Sequence, residues 1–261
     1  PGAGKTSLLA RLAPAIGDRC VFFTEPNITL GRQPCPPVDP TPAERSLWFL
    51  RHEQVKAQHA ATLLRDPALQ LLVFDRNHLG ALAYCYATRV DGALPYARAA
   101  DFYAGHIAPH LPADLRTVIL LVSPDRSLKR RGGAAERARW ARWFDPELLD
   151  RLYDFYVHVA PELCPHPPIV IDTDDLSAGD VLTQVCDILS AAGLVDLPSI
   201  DTPTADGRPE RPVIAPVFAD AYSDHGGLEA LGHPLTEPFT HRCGQIQLCQ
   251  LGALHHTRAG A

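Results

Sequence analysis

The first seven residues of the chain read PGAGKTS and stand directly before an amphipathic stretch. Their Gly-Lys-Thr is the end of the phosphate-binding loop pattern G-x-x-x-x-G-K-[ST], whose first glycine would fall one position before Pro1. Glycines let consecutive backbone N–H groups turn toward one anion, and the following helix adds the positive end of its dipole. The sequence therefore predicts a polyphosphate-binding loop that connects a strand to a helix.

Each residue type in this loop has its own expected role. Lys5 is suited to reach the β- and γ-phosphates of ATP, and the Thr6 hydroxyl is suited to a Mg²⁺ position. The predicted nucleotide-binding residues of the loop are Gly2, Ala3, Gly4, Lys5, Thr6 and Ser7. The alternative is a glycine-rich turn that only caps an ordinary helix. Because such a loop is fed by a strand in the middle of the sheet, we expect that strand upstream of Pro1.

Four short apolar runs alternate with helical patterns after the loop. The runs are residues 20–23, 69–74, 117–122 and 168–172, and the helices are expected after the loop, from the Thr41 cap to about Leu64, and over 79–90, 96–109, 145–159 and 177–192. This order predicts an α/β fold of the P-loop NTPase type, with three α/β/α layers and a mostly parallel sheet. The sheet has five strands when the one upstream of Pro1 is counted.

The periodicity fades from about Pro198 into a proline-rich linker. We therefore expect a first domain over residues 1–197 and an extension without an assigned role over residues 198–261. Within the extension, weak strand signals cover residues 213–218 and 245–248.

Composition excludes some classes of partner. The net charge of −6 argues against a nucleic-acid polymer held on a basic surface. No apolar run approaches the roughly 20 residues of a membrane span, and no signal peptide is visible. The seven cysteines form no C-x-x-C pair and are odd in number, which favours reduced thiols in a cytoplasmic protein.

Polar residues follow the first two apolar runs. Glu25 comes after the first run, and Asp75 and Arg76 come directly after the second. The carboxyl ends of parallel strands face the ligand crevice in such sheets, and a carboxylate there can take a proton from an acceptor hydroxyl. The alternatives are a strand end at an exposed turn for Glu25 and an internal salt bridge for the Asp75–Arg76 pair.

A strongly basic segment covers residues 126–142. It includes Arg126, Arg130 and Arg131, and arginines on a lid are suited to neutralise charge on a transferring phosphate. Because Glu136 lies among these arginines, the alternative is a solvated helix face.

In this order, the motifs resemble those of the deoxynucleoside kinase and thymidylate kinase superfamily, with the greatest similarity to nucleoside kinases of the herpesviral thymidine kinase type. The similar motifs are Pro1-Gly2-Ala3-Gly4-Lys5-Thr6, Glu25-Pro26, Phe74-Asp75-Arg76, Tyr84-Cys85-Tyr86 with Arg89, Pro124-Asp125-Arg126 and Ile169-Val170-Ile171-Asp172. The resemblance covers about residues 1–193. It implies a kinase that uses ATP and Mg²⁺.

The resemblance also implies roles for single residues. Glu25 would deprotonate a nucleoside 5′-hydroxyl, Arg76 beside Asp75 would steady the transferring phosphate, and the lid arginines would close on ATP. The substrate-binding residues would be Trp48, Arg51, Gln54, Gln58, Tyr84, Tyr86 and Arg89. Among them, Gln54 or Gln58 would hydrogen-bond the base, and one aromatic side chain would pack against it.

Three functions follow as hypotheses. The first is transfer of the γ-phosphate of ATP to the 5′-hydroxyl of a deoxynucleoside. The second is a nucleoside monophosphate kinase of the thymidylate type, which has Gly-Gly-Thr where this chain has Asn27-Ile28-Thr29 after Glu-Pro. The third is a regulatory ATP-binding module without a small-molecule acceptor. The sequence allows a homodimer and does not name the base.

Overall fold

The computed structural model describes residues 2–16, 20–23, 38–66, 69, 71–131, 142–194, 212–231, 233–241, 244–249 and 252–257. The chain divides into two compact units. The first comprises Pro1–Gly4, Gly31–Arg65 and Arg76–Leu176, and the second comprises Lys5–Leu30, Asp66–Asp75 and Ser177–Ala261. The boundary predicted between residues 197 and 198 falls outside the described residues and stays a prediction.

Four strands lie where the apolar runs predicted them, in two parallel pairs. In the second unit, β1 (Cys20–Phe23) pairs with β2 (Leu71–Phe74). In the first unit, β3 (Val118–Leu121) pairs with β4 (Ile169–Asp172). Parallel neighbours require a crossover connection, which the intervening helices provide. The fifth strand of the predicted sheet is the one expected upstream of Pro1.

Most of the long helices follow a Ser, Thr, Asn or Asp whose side chain accepts a hydrogen bond from the first turn. The second unit contains α1 (Lys5–Ile16) and α7 (Ala178–Ala191), and the first contains α2 (Pro42–Leu63), α3 (His78–Ala87), α4 (Tyr96–Phe102), α5 (Pro124–Arg130) and α6 (Pro146–Asp154). The capping box predicted for α2 is confirmed, because the Thr41 hydroxyl accepts from the Glu44 amide at 3.3 Å and the Glu44 carboxylate accepts from the Thr41 amide at 2.9 Å.

Three helix ends differ from the prediction. Helix α3 ends at Ala87 rather than near residue 90, because Thr88 takes an extended conformation. Helix α4 passes into a π-helical turn, Tyr103–Ile107, and α6 passes into another, Phe155–Val159. Each turn precedes a proline, Pro109 or Pro161, which cannot donate to the helical ladder.

The core of the first unit is formed by apolar side chains of α2, α3, α6 and the π-helical turn that follows α6. Leu50, Leu82 and Phe155 have no exposed surface and belong to one continuous cluster. This cluster fixes the three helices that carry most of the residues expected to bind the acceptor.

The C-terminal part of the second unit contains an antiparallel sheet of β5 (Phe239–His241), β6 (Gly244–Cys249) and β7 (Gly252–Thr257), with the short helices α8 (Ala219–Asp224) and α9 (Gly227–Leu231). The strand predicted over residues 245–248 is confirmed within β6. The strand predicted over residues 213–218 is wrong, because Pro216–Phe218 form a 3-10 turn. The buried side chain of Gln247 bonds the Val213 carbonyl at 2.7 Å and the Ala215 amide at 3.1 Å, in place of a neighbouring strand.

Some features are absent from the described ranges. No helix there combines the length and apolar character that a membrane crossing needs. The same residues hold no group of three or more His, Cys, Asp or Glu side chains placed to bind a metal ion. The cysteines they include, Cys20, Cys85, Cys164, Cys186 and Cys249, are free thiols.

Candidate functional site

The glycine loop has the backbone that its motif requires. Gly2 has φ +76° and Gly4 has φ +87°, a region that residues with a Cβ rarely adopt. Helix α1 begins at the next residue, Lys5. Positive φ at two alternate residues is the conformation that turns backbone N–H groups toward a common anion.

Close packing adds a second requirement for glycine at position 2. A Cβ there would lie 3.0 Å from Ser127 Oγ and 3.2 Å from the Ser127 carbonyl oxygen, both tighter than ordinary contacts. Ser127 belongs to α5 and is 1% exposed, so it has little room to move. The loop therefore rests directly on α5.

Arg130 joins the loop to the segment that follows β4. Its Nη1 donates to the Gly2 carbonyl at 3.3 Å and to Thr173 Oγ1 at 3.1 Å. Its Nη2 donates to the carbonyls of Thr173, Asp174 (3.2 Å) and Leu176 (3.3 Å). One guanidinium thus bonds two separate stretches of backbone, which its fork of donors allows.

Arg126 holds the same segment from the first turn of α5. Its Nε donates to the Asp174 carbonyl at 2.7 Å, and the Asp174 carboxylate accepts from the Ser123 amide at 2.8 Å. Burial opposes ionisation of Asp174, but the bonds from Ser123 and the charges of Arg130 and Arg126 outweigh it, and the pKa of Asp174 is lowered.

Arg131, the third arginine expected in the lid, packs against neighbouring residues of the protein. The Arg131 guanidinium lies over the Phe144 ring, 4.3 Å from its centroid, and Nε donates to the Ser127 carbonyl at 3.2 Å. Burial lowers its pKa, and its Nη2 is buried with no hydrogen-bond partner among the described residues. Its expected role on ATP stays a prediction.

The turn after β2 begins with Asp75, whose amide donates to the Phe23 carbonyl at 2.8 Å. Arg76 then takes a left-handed conformation with φ +58°. Its carbonyl accepts from Lys56 Nζ at 3.1 Å, and Lys56 also pairs with Glu53 at 3.1 Å. Neither Glu53 nor Lys56 was predicted as a site residue, although a Glu and a Lys at positions i and i+3 of a helix are typical of an ion pair.

The residues expected on one face of α2 have different surroundings. Trp48 is 4% exposed and packs edge-on against Phe49 with 4.9 Å between ring centroids. Arg51 and Gln58 are exposed, and Gln54 is partly buried. Gln58 Nε2 lies 3.4 Å from His110 Nε2 at the surface. Of the two glutamines expected near the base, Gln54 is the less exposed.

The two tyrosines of α3 have different partners. The Tyr84 hydroxyl accepts from Arg142, and its ring lies 5.9 Å from that of Trp143. The Tyr86 hydroxyl donates to Asp154, and its ring packs against Tyr96 and Phe155 with centroids 5.4 and 5.5 Å away. Residues i and i+2 of a helix do not share a face, so the two rings cannot stack on the same base.

The remaining predicted residues are less defined. Arg89 is exposed just past the end of α3, and Ser7 is exposed in the first turn of α1. Glu25 lies outside the described residues, and so does the side chain of Thr6. The catalytic carboxylate and the metal position therefore stay predictions.

No family model and no curated protein match the chain. Solved structures do. Thymidylate kinase from Candida albicans is similar with a TM-score of 0.52 and 15% identity, over 74% of this chain and 88% of that one. Deoxyadenosine kinase from M. mycoides gives a TM-score of 0.49 and 17% identity, over 73% of this chain and 95% of that one. The likeness to thymidylate kinase shows the P-loop α/β fold that the motifs predicted.

Proposed function

We propose that this chain, which has the fold of a P-loop kinase, transfers the γ-phosphate of ATP to the 5′-hydroxyl of a deoxynucleoside. The observation that carries the proposal is the glycine loop, with positive φ at Gly2 and Gly4 directly before α1. The proposal includes a small-molecule acceptor, no nucleic-acid polymer as partner, and a cytoplasmic location.

The loop fits a polyphosphate. The backbone at Gly2 is left-handed and lies too close to Ser127 for a side chain. The loop amides and Lys5 would bind phosphate oxygens, and the Thr6 hydroxyl would hold Mg²⁺. When bound, Mg²⁺ supplies charge neutralisation and orientation of the phosphates.

On the acceptor side, Glu25 would take the proton of the 5′-hydroxyl, and Arg76 would stabilise charge on the transferring group. Arg126 and Arg130 already hydrogen-bond the backbone after β4, and Arg130 also bonds the phosphate loop. We propose that these two arginines add positive charge beside the phosphates while holding the loop that receives them.

A nucleoside monophosphate kinase is the second candidate. The likeness to a thymidylate kinase favours it, and so does the exposed side chain of Arg51 on α2, which is accessible to a phosphate on the acceptor. In that case Arg51→Ala should abolish transfer and leave ATP binding unchanged.

The test is a coupled assay of ADP release by the full chain with ATP and Mg²⁺, against the common deoxynucleosides and their monophosphates. We expect a deoxynucleoside to stimulate ADP release, and Glu25→Gln and Lys5→Met to abolish the stimulation. Stimulation by monophosphates alone would select the second candidate. Bound ATP with no stimulation by any acceptor would contradict both and favour a regulatory ATP-binding module.

A further inference from the structure

A buried ion pair lies beneath the turn that follows β2. Glu53 and Lys56 stand one turn apart on α2, their charged atoms are 3.1 Å apart, and their side chains are only 6% and 5% exposed. Removing two charges from water is costly, and an apolar pair of similar volume is commonly at least as stable. Stability alone therefore does not account for this pair.

Lys56 makes a second contact that an apolar residue could not make. Its Nζ donates to the backbone carbonyl of Arg76 at 3.1 Å. A charged donor in a buried place gives a stronger hydrogen bond than a neutral one. The Glu53 carboxylate, 3.1 Å from the same ammonium, directs it, so both residues bear on the position of the Arg76 backbone.

The Arg76 backbone needs such support. Its φ of +58° is the left-handed region, which is unfavourable for a residue with a Cβ. Strained residues of this kind persist only where surrounding structure holds them, and they concentrate at functional sites. On the other side of Arg76, Asn77 caps α3 by accepting from the Leu79 amide at 3.1 Å.

The side chain of Arg76 is also guided by its surroundings. A Cβ built on Gly80 would lie 3.7 Å from both Cβ and Cδ of Arg76, so the stem of the arginine runs along the first turn of α3. A shift of the Arg76 backbone would carry this stem, and the guanidinium at its end, with it.

We propose that Lys56, with Glu53, is a positioning residue that holds Arg76 in its left-handed turn and so aims the guanidinium at the transferring phosphate. The proposal rests on the proposed kinase function. It assigns Lys56 no contact with substrate and predicts that Lys56 acts through Arg76.

A double-mutant cycle on turnover tests this coupling. We expect Lys56→Met to lower kcat roughly 10- to 100-fold, with the KM for ATP changed less than about twofold. In an Arg76→Ala background, the same substitution should change kcat by less than about twofold. Equal factors in both backgrounds would overturn the proposal. Arg45→Met removes an exposed cation from the same helix and should leave kcat unchanged.

A second variant separates positioning from folding. Lys56→Met alone removes the cation that pairs with the buried Glu53 carboxylate, whereas Lys56→Met with Glu53→Gln removes both charges and should fold stably. We expect this double variant to retain the full loss of kcat. Wild-type kcat in the double variant would mean that only the buried negative charge of Glu53 lowered turnover in Lys56→Met, and the proposal would be wrong.

Hydrogen exchange measured by mass spectrometry tests the structural step without any activity. Peptides that cover residues 75–80 should exchange faster in the double variant than in wild type or in Arg45→Met. Unchanged exchange would overturn the positioning role even in an active kinase. Faster exchange in a chain that phosphorylates no acceptor would contradict the proposed function and leave the Lys56–Arg76 restraint supported.

Discussion

Arg130 donates a hydrogen bond from Nη1 to the carbonyl oxygen of Gly2, 3.3 Å away and 128 positions earlier in the sequence. The same guanidinium bonds the carbonyl of Thr173 after β4. Arg130, which was expected to close on ATP as part of a lid, thus already contacts the glycine loop. Through these hydrogen bonds, Arg130 connects the glycine loop to the backbone that follows β4.

We expect Arg130→Ala to weaken ATP binding about tenfold, which corresponds to about 1.4 kcal/mol. The loop would lose a charged donor and the tie to residues 173–176. Arg130→Lys should recover little, because one ammonium cannot bond two stretches of backbone as a planar fork does. Titration with a fluorescent ATP analogue measures both variants. Arg98→Ala, an exposed arginine of α4, is the matched control. Full recovery by lysine would mean that Arg130 contributes only charge.

Substitutions at Tyr84 and Tyr86 should distinguish a side chain that contacts the acceptor from one that only stabilises the fold. Tyr84→Ala removes the ring beside Trp143, and we expect the KM of the acceptor to rise roughly tenfold or more, with ATP affinity unchanged. Tyr86→Phe removes the donor to Asp154 and should lower the free energy of unfolding by at most about 1 kcal/mol, with no change in the acceptor KM. Steady-state kinetics and urea unfolding test the pair. A raised acceptor KM in Tyr86→Phe alone would reverse the assignment.

The sequence predicted local features well and distant contacts poorly. The capping box of Thr41 and the strand at Cys20–Phe23 could be predicted because their signals lie within a few neighbouring residues. The contact of Lys56 with the Arg76 carbonyl joins residues 20 positions apart, and no local pattern shows it. The left-handed backbone of Arg76 could not be predicted either, because that conformation is usually adopted by Gly or Asn. The strand predicted over 213–218 failed because Gln247, 34 residues from Val213, satisfies the backbone there.

The left-handed conformation of Arg76 predicts an unusual order of stability. Both Arg76→Gly and Arg76→Ala remove the guanidinium, but only alanine keeps a Cβ that opposes φ of +58°. We expect the glycine variant to be more stable by about 0.5–1 kcal/mol, after the greater freedom of glycine in the unfolded chain offsets part of the gain. Urea unfolding measures the difference. At Arg98, inside α4, the order should reverse, because glycine is unfavourable in a helix. If the alanine variant is the more stable one at both positions, a strained turn at Arg76 is refuted.

Because the side chain of His78 is buried, we expect the protein to lose stability in mild acid. It is 1% exposed and stacks on Tyr103 with 4.9 Å between ring centroids. Burial, and to a smaller extent the charge of Lys56, lowers the pKa of His78 from 6.5 to about 4, against a backbone hydrogen bond at Leu163 that raises it. Between these two values the unfolded chain binds a proton that the folded chain does not, so the stability present above pH 6.5 is lost as the pH falls toward 4.

The size of this effect follows from the shift in pKa and can be isolated by substitution. The contribution of His78 should be about 3 kcal/mol between pH 7 and pH 4, and His78→Phe, which keeps a ring against Tyr103, should remove it. Urea unfolding of both proteins at several pH values gives the difference between their slopes. His158→Gln replaces a histidine that is 70% exposed and should leave the wild-type slope unchanged. Parallel curves for wild type and His78→Phe would show that His78 is protonated equally in the folded and unfolded chain, which its burial makes unfavourable.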